Sequence, residues 1–165
     1  MKEYVVDHVI DCSPERYWVM WLDPDFARAL LLDGLGYLDC TIEPVRSAGA
    51  SKLRDMVVSP KVAIPKALRR AVGDRLVYAE RGRLDTVAGR WTYDLSMPSF
   101  AAFSGQGEVR LAPLPDGRCT RTTRMAFTVK MPMIGGRIEA TALENARTEL
   151  DRGAAFVNRW LKDYG

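Results

Sequence analysis

The chain of 165 residues contains one histidine, and that scarcity removes whole classes of chemistry at once. His8 alone cannot build a multi-histidine metal site, and a Ser-His or Cys-His arrangement would need His8 itself as the base. On a first strand it reads as a satisfied structural side chain. The three cysteines, Cys12, Cys40 and Cys119, form no C-x-x-C pair, and their odd number argues against a disulfide framework. They read as reduced spectators, and a cytoplasmic location follows by default. No apolar run approaches the roughly 20 residues a membrane span requires, and the opening residues 1–8 lack a secretory apolar core. A large excess of one sign of charge is also missing. A net charge of +3 is too small to imply nucleic acid. Repeats, low-complexity tracts and linkers are missing too, so residues 1–165 read as a single domain, with no metal or other cofactor expected.

What the chain does contain is strict alternation followed by one helical stripe. Hydrophobic content of 47% with 27% charge is ordinary for a soluble globular protein. Residues 3–11 read as a first strand. Ser13-Pro14-Glu15 and Asp23-Pro24-Asp25 are two helix starts, predicting short helices through 17–22 and 26–32. Residues 37–46 and 51–59 predict a hairpin turning at 47–50. Pro60 and Pro65 break the strand pattern, and 67–72 suits a short helix. Strands follow over 75–85, 88–97, 103–111 and 119–131, each with one wet and one apolar face, as an antiparallel sheet requires. From Gly135 onward the spacing of Ile138, Ala142/Leu143, Ala146, Leu150, Gly153/Ala154, Val157 and Trp160/Leu161 marks one face of a long helix. At ~1.5 Å per residue it would be roughly 40 Å long. Arg137, Glu144, Arg147, Glu149, Arg152, Arg159 and Lys162 fall on its opposite side and call for water.

The segment Val9-Ile10-Asp11-Cys12-Ser13-Pro14-Glu15-Arg16-Tyr17-Trp18 resembles the first strand and helix entry of the START-related (SRPBCC) superfamily, which includes birch-pollen-allergen-like proteins and polyketide cyclases. The run from Val129 to Glu139 resembles the strand-to-helix junction of a bacterial branch of that superfamily with no assigned function. The resemblance covers essentially the whole chain and includes no catalytic signature. It implies an α+β helix-grip fold: a curved antiparallel sheet of about seven strands wrapped around the C-terminal helix, with two short helices after the first strand. Between sheet and helix such folds leave an elongated apolar cavity, in which relatives mostly bind sterols, phospholipids, polyketides or plant hormones. Carried over by position, the lining would comprise Tyr78, Trp91, Tyr93, Leu95 and Met97 from the middle strands. Phe103, Val109, Thr123, Met125, Phe127 and Val129 would follow from the later strands, and Leu143, Ala146 and Leu150 from the helix.

Several features admit two explanations each. The Met and aromatic lining suits a large apolar ligand, yet the same residues can simply fill a core. Gly105 and Gly107 on the inward face, with Ala142, Ala146, Gly153 and Ala154 on the helix, suggest either room or close backbone contact. Among inward polar groups, the hydroxyls of Tyr78, Tyr93 and Thr123 could orient a ligand. Alternatively, the set forms internal hydrogen bonds and a salt bridge of Glu80 with Arg121 or Arg54, the reading that buried charge favours. The stretch 60–75, with Lys61, Lys66, Arg69, Arg70 and Arg75 around Val62, Ile64, Leu68 and Val72, is a solvated connection or a basic amphipathic gate. Lys66, Leu68, Arg69 and Arg70 would then meet an anionic membrane transiently. Gly135-Gly136 is an anion nest or a tight turn. The expected function is binding, and intracellular transfer, of a sterol, fatty acyl lipid or isoprenoid by a monomer or weak dimer. A polyketide cyclase or dehydratase working in the same cavity through Tyr, Arg and Glu is the alternative, and a protein-binding scaffold is a third class. No nucleophile or metal set speaks for catalysis.

Overall fold

In the computed structural model, which describes residues 1–164, alternation becomes one antiparallel sheet. Strand β1 (Lys2–Ile10) leads into helices α1 (Pro14–Leu22) and α2 (Pro24–Ala29), and a π-helical turn (Leu30–Gly34) follows. Both helices start as the sequence suggests. The Ser13 hydroxyl accepts from the Arg16 N–H and the Asp23 carboxylate from the Asp25 N–H, with Pro14 and Pro24 in the first turns. Next come β2 (Asp39–Ile42), β3 (Arg46–Ala48), β4 (Ser51–Ser59), α3 (Lys66–Val72), β5 (Tyr78–Asp85), β6 (Arg90–Ser96), β7 (Phe103–Pro113) and β8 (Cys119–Val129). The last element, α4 (Gly135–Tyr164), is the long helix.

The strands lie in the order β1-β8-β7-β6-β5-β4-β2, so the first strand pairs with the last, and β3 lies beside β2 on β4. The hairpin expected over 37–59 forms, but its first strand is cut in two. Between the pairs Ile42↔Met56 and Arg46↔Leu53, the three residues 43–45 oppose the two residues 54–55. The cause is Pro44, which has no N–H for the ladder, and the extra residue is taken up as a bulge. This is why the sheet has eight strands rather than seven.

Helix α4 packs on β1, β8 and the π-helical turn. The inner faces of β4–β7 are therefore covered by other means. At one end, α1 and α2 place Tyr17, Met20 and Phe26 in a core with Ile10, Cys119, Ala154 and Val157. At the other end, Leu68 and Val72 of α3 meet Leu95, Phe100, Phe103 and Phe127. The inward glycines let aromatic rings lie flat on the sheet. A Cβ on Gly107 would sit 2.0 Å from the Tyr93 ring, and one on Gly105 would sit 2.9 Å from Phe127. Neither explanation holds for Gly105 and Gly107: the space is filled, and what fills it is neighbouring side-chain rings rather than the helix backbone. Gly135-Gly136 likewise forms a tight junction, since a Cβ on Gly135 would lie 2.3 Å from the Val129 carbonyl oxygen. The carboxylate near this helix start is the chain's own Glu139, which accepts the Val129 N–H at 2.9 Å.

A Cβ on Gly82 would fall 1.9 Å from the fully buried Trp91 ring, whereas Gly136 has nothing within 4 Å. Gly82→Ala is expected to cost about 2 kcal/mol, or roughly 4–8 °C in Tm. Gly136→Ala should leave Tm unchanged or raise it slightly, because alanine loses less backbone entropy in a helix. Thermal denaturation of the two variants side by side checks the contrast; equal melting temperatures would contradict it.

Candidate functional site

Because α4 stands off the middle strands, a cavity of about 400 Å³ remains between α3, α4 and the sheet. This lies within the roughly 300–1,000 Å³ typical of small-molecule sites. Its wall is almost wholly apolar. The segment before α3 supplies Pro60, Val62, Ala63 and Ile64, α3 supplies Leu68 and Val72, and the sheet side supplies Leu76, Leu95, Met97, Phe100, Phe103 and Phe127. Helix α4 closes it with Ile138, Ala142 and Ala146, while Arg137, Thr141 and Asn145 bring polar groups to the same helix face.

Deeper in the fold lies a smaller chamber of about 150 Å³, and the two spaces share Tyr37, Tyr78, Leu95 and Met125 in their walls. On that shared wall the Tyr78 hydroxyl donates to Tyr37 at 2.8 Å, and the Tyr37 hydroxyl donates to Glu149 Oε2 at 2.7 Å. Burial holds both phenols well above their ordinary pKa, so they remain neutral donors. Burial also raises the Glu149 carboxyl, with Tyr37 and Arg152 opposing the shift.

The inner chamber is polar in an unusual way. Arg54 is 2% exposed and sits between two indoles, 5.2 Å from the Trp21 ring centroid and 5.0 Å from that of Trp91. Its Nη1 donates to the Trp21 carbonyl, and its Nη2 lies 4.0 Å from Glu80 Oε1. Burial raises the Glu80 pKa while Arg54 opposes that shift, and burial with the Glu80 charge raises Tyr93. Arg121, 4% exposed, donates to the Tyr17 hydroxyl at 3.3 Å and reaches His8 Nδ1 at 3.3 Å. A guanidinium donating to Nδ1 leaves the hydrogen on Nε2, which then donates to Asp151 at 2.8 Å. His8 is thus held from both sides as a structural group. The expected Glu80 ion pair is with Arg54, not Arg121. The three cysteines are buried and unpaired, and burial pushes the Cys119 thiol up to about 11. Among the described residues no cluster of three or more His, Cys, Asp or Glu is placed to hold a metal.

The family model described as "Protein of unknown function (DUF2505)" matches residues 6–161. The chain belongs to this family. No curated protein matches it. Solved structures show the fold of this DUF2505 member to be the helix-grip fold of START-related proteins. A protein from Thermus thermophilus superposes with a TM-score of 0.68 at 15% identity, over 99% of this chain and 100% of its own. The Zhui aromatase/cyclase from a Streptomyces species gives 0.67 at 13% identity, over 97% and 95%. A START superfamily protein from Mycobacterium smegmatis gives 0.64 at 12% identity, over 95% and 97%.

Within the DUF2505 chain, the positions named from the sequence divide between the two spaces. Met97, Phe103, Phe127, Ala146 and Leu68 line the outer cavity. Trp91, Tyr93, Val109, Thr123 and Leu150 line the inner chamber, and Tyr78, Leu95 and Met125 line both. Val129 and Leu143 line neither, because both are packed in the cluster around Phe127. Lys66, Arg69 and Arg70 are exposed on α3, and of the four candidate gate positions Leu68 is the one turned inward, alongside Val72. The helix stripe holds where it is packed: Gly153 and Ala154 are buried close to the π-helical turn and α1. Toward the cavity the helix presents a rotated face, so Glu149, expected in water, faces the wall. Arg152, also expected in water, donates to the Gly34 carbonyl at 3.1 Å. Tyr37 carried no sequence signal, since it follows an irregular turn. Arg54 shares the parity of Met56 and Val58 on β4, and that alternation was its one clue.

Glu149 yields a pH prediction. Its folded pKa is raised above the ordinary 4.5, so its stabilising contribution is present below that value and is lost as pH rises through the folded pKa. Glu149→Gln keeps an acceptor for Tyr37 but cannot ionise. The Tm of the variant minus that of the wild type should therefore be more positive at about pH 7 than at about pH 4. A difference that does not move with pH would contradict the assignment.

Proposed function

We propose that residues 1–165 form one START-like unit that binds a hydrophobic small molecule in the cavity between α3, the sheet and α4. The observation that carries this reading is the cavity of about 400 Å³ with a predominantly apolar wall. Removing an apolar ligand from water would supply the affinity, at roughly 25 cal/mol per Å² buried. Sterols, fatty acyl lipids and isoprenoids all fit that description.

Transfer at a membrane extends the proposal. Support comes from the mouth of the cavity, where Val62, Ile64 and Ile134 are only half-buried. Met133 beside them is 99% exposed. Lys61, Lys66, Arg69, Arg70, Lys130 and Arg137 surround these apolar groups with exposed positive charge, the pairing an anionic lipid surface attracts. A second reading is proton-transfer catalysis of the cyclase or dehydratase type. Glu80 and Tyr93 favour it, because an acid with a raised pKa and a neutral phenol line the same small chamber.

Titrating the protein with a fluorescent sterol, a fluorescent fatty acid and a fluorescent isoprenoid tests the first reading. At least one should bind saturably, and Ala142→Trp, which fills the outer cavity, should weaken it about tenfold or more with Tm retained. Failure to saturate with all three probes would end the binding proposal. Reversing Arg69 and Arg70 to Glu should slow uptake from anionic vesicles but not from neutral ones. Equal rates from both would remove the membrane step.

A further inference from the structure

The inner chamber differs from the outer cavity in one respect: several of its buried donors are paired by no acceptor. Arg54 has five N–H groups and is 2% exposed, yet its nearest partners are the Trp21 carbonyl and a Glu80 oxygen at 4.0 Å. Around it, the ring nitrogens of Trp21 and Trp91, the Nε atoms of Arg54 and Arg121, and the Thr123 hydroxyl have no hydrogen-bond partner among the described residues. Thr123 is 1% exposed. A buried donor without an acceptor is ordinarily destabilising, so a cluster of them needs an explanation. The formal charges point the same way. Two guanidiniums, Arg54 and Arg121, line the chamber against one carboxylate, Glu80, while Asp151 is engaged by His8.

The arrangement is also rigid. Two indoles and a backbone carbonyl hold the Arg54 guanidinium, and Tyr17 with His8 holds that of Arg121. Both head groups are thus oriented before anything binds. On the far side of Tyr37 and Tyr78 the wall becomes apolar. One continuous molecule with an acceptor-rich end and a hydrocarbon body would match both spaces.

We propose that the inner chamber is the subsite for the carboxylate of an amphipathic acid whose hydrocarbon part fills the outer cavity. This rests on the ligand-binding reading above and narrows it to one chemical class, bound head inward. A carboxylate only accepts hydrogen bonds, offers about four lone-pair sites and supplies the missing negative charge. A hydroxyl or an ester would supply no charge. Neutral ligands would satisfy the walls of the outer cavity equally well, so discrimination arises at Arg54.

The test compares hexadecanoic acid, its methyl ester and hexadecanol by displacement of a fluorescent acyl probe from the intact protein. Hydrogen bonds to charged groups predict that the acid binds about tenfold or more tightly than either neutral analogue. Arg54→Met, close in volume, should bring the acid to the level of the alcohol. Orientation is read without any variant. Bromine quenches tryptophan fluorescence on contact, and Trp21 and Trp91 flank Arg54. The acid brominated at carbon two should therefore quench more strongly than the acid brominated at its terminal carbon. Ester and alcohol binding as tightly as the acid, or stronger quenching by the terminal bromine, overturns the head-inward assignment while leaving apolar binding intact. If a sterol or isoprenoid saturates the cavity and the acid does not, this class is wrong and the broader reading survives. If no probe of any kind binds, both fall.

Discussion

A single straight helix cannot fill the inside of a strongly curved eight-stranded sheet, and most of what is distinctive here follows from that geometric limit. Helix α4 settles on β1, β8 and the π-helical turn, where Gly153, Ala154 and Val157 allow close contact. The middle strands are left to find other cover. At one end, aromatic rings from α1 and α2 complete a dense core. At the other, α3 and the proline-bounded segment before it arch over the sheet without filling the space beneath. The cavity is the volume that neither cover reaches, and its apolar character follows from the inward alternation of β6, β7 and β8.

Depth within that volume sorts the chemistry. Near α3 the walls are aliphatic and aromatic, so affinity there depends on area rather than on direction. Past Tyr37 and Tyr78 the fold buries two arginines and a glutamate, groups that apolar residues of similar volume could replace with a gain in stability. Retaining them makes physical sense when their directionality matters. The indoles of Trp21 and Trp91 offset part of the desolvation of Arg54 through cation–π contact, worth about 2 kcal/mol in a dry setting. The hydrogen-bonded series Tyr78, Tyr37, Glu149 stands where the two environments meet, linking β5, the segment after the π-helical turn, and α4.

Local chemistry carried a large part of this structure in readable form. Ser13-Pro14 and Asp23-Pro24 cap the helices they announce. Trp91, Tyr93 and Leu95 alternate inward as their spacing requires, and the stripe from Ala146 to Leu161 is the packed face of α4. Pro44 escaped notice because one proline splits a strand only where a partner ladder exists to be interrupted. Gly105 and Gly107 misled for a related reason: a missing side chain leaves a gap only until a neighbouring strand lays a ring across it. Which ring does so depends on register, and register is set between strands far apart in the chain.

By itself, then, the sequence determined the helix-grip elements, their order and the apolar faces they would bury, since those depend on neighbours within a few residues. It also carried, in the helix entry at 9–18 and the junction at 129–139, a resemblance to proteins that share this fold. Only the tertiary structure decided that Arg54 would lie between two indoles, that Glu149 would leave the wet face of its helix for Tyr37, and that the interior would divide into an apolar and a donor-rich part. Each of these is a contact between residues dozens of positions apart. Their cost or benefit exists only after the sheet has curved and excluded water.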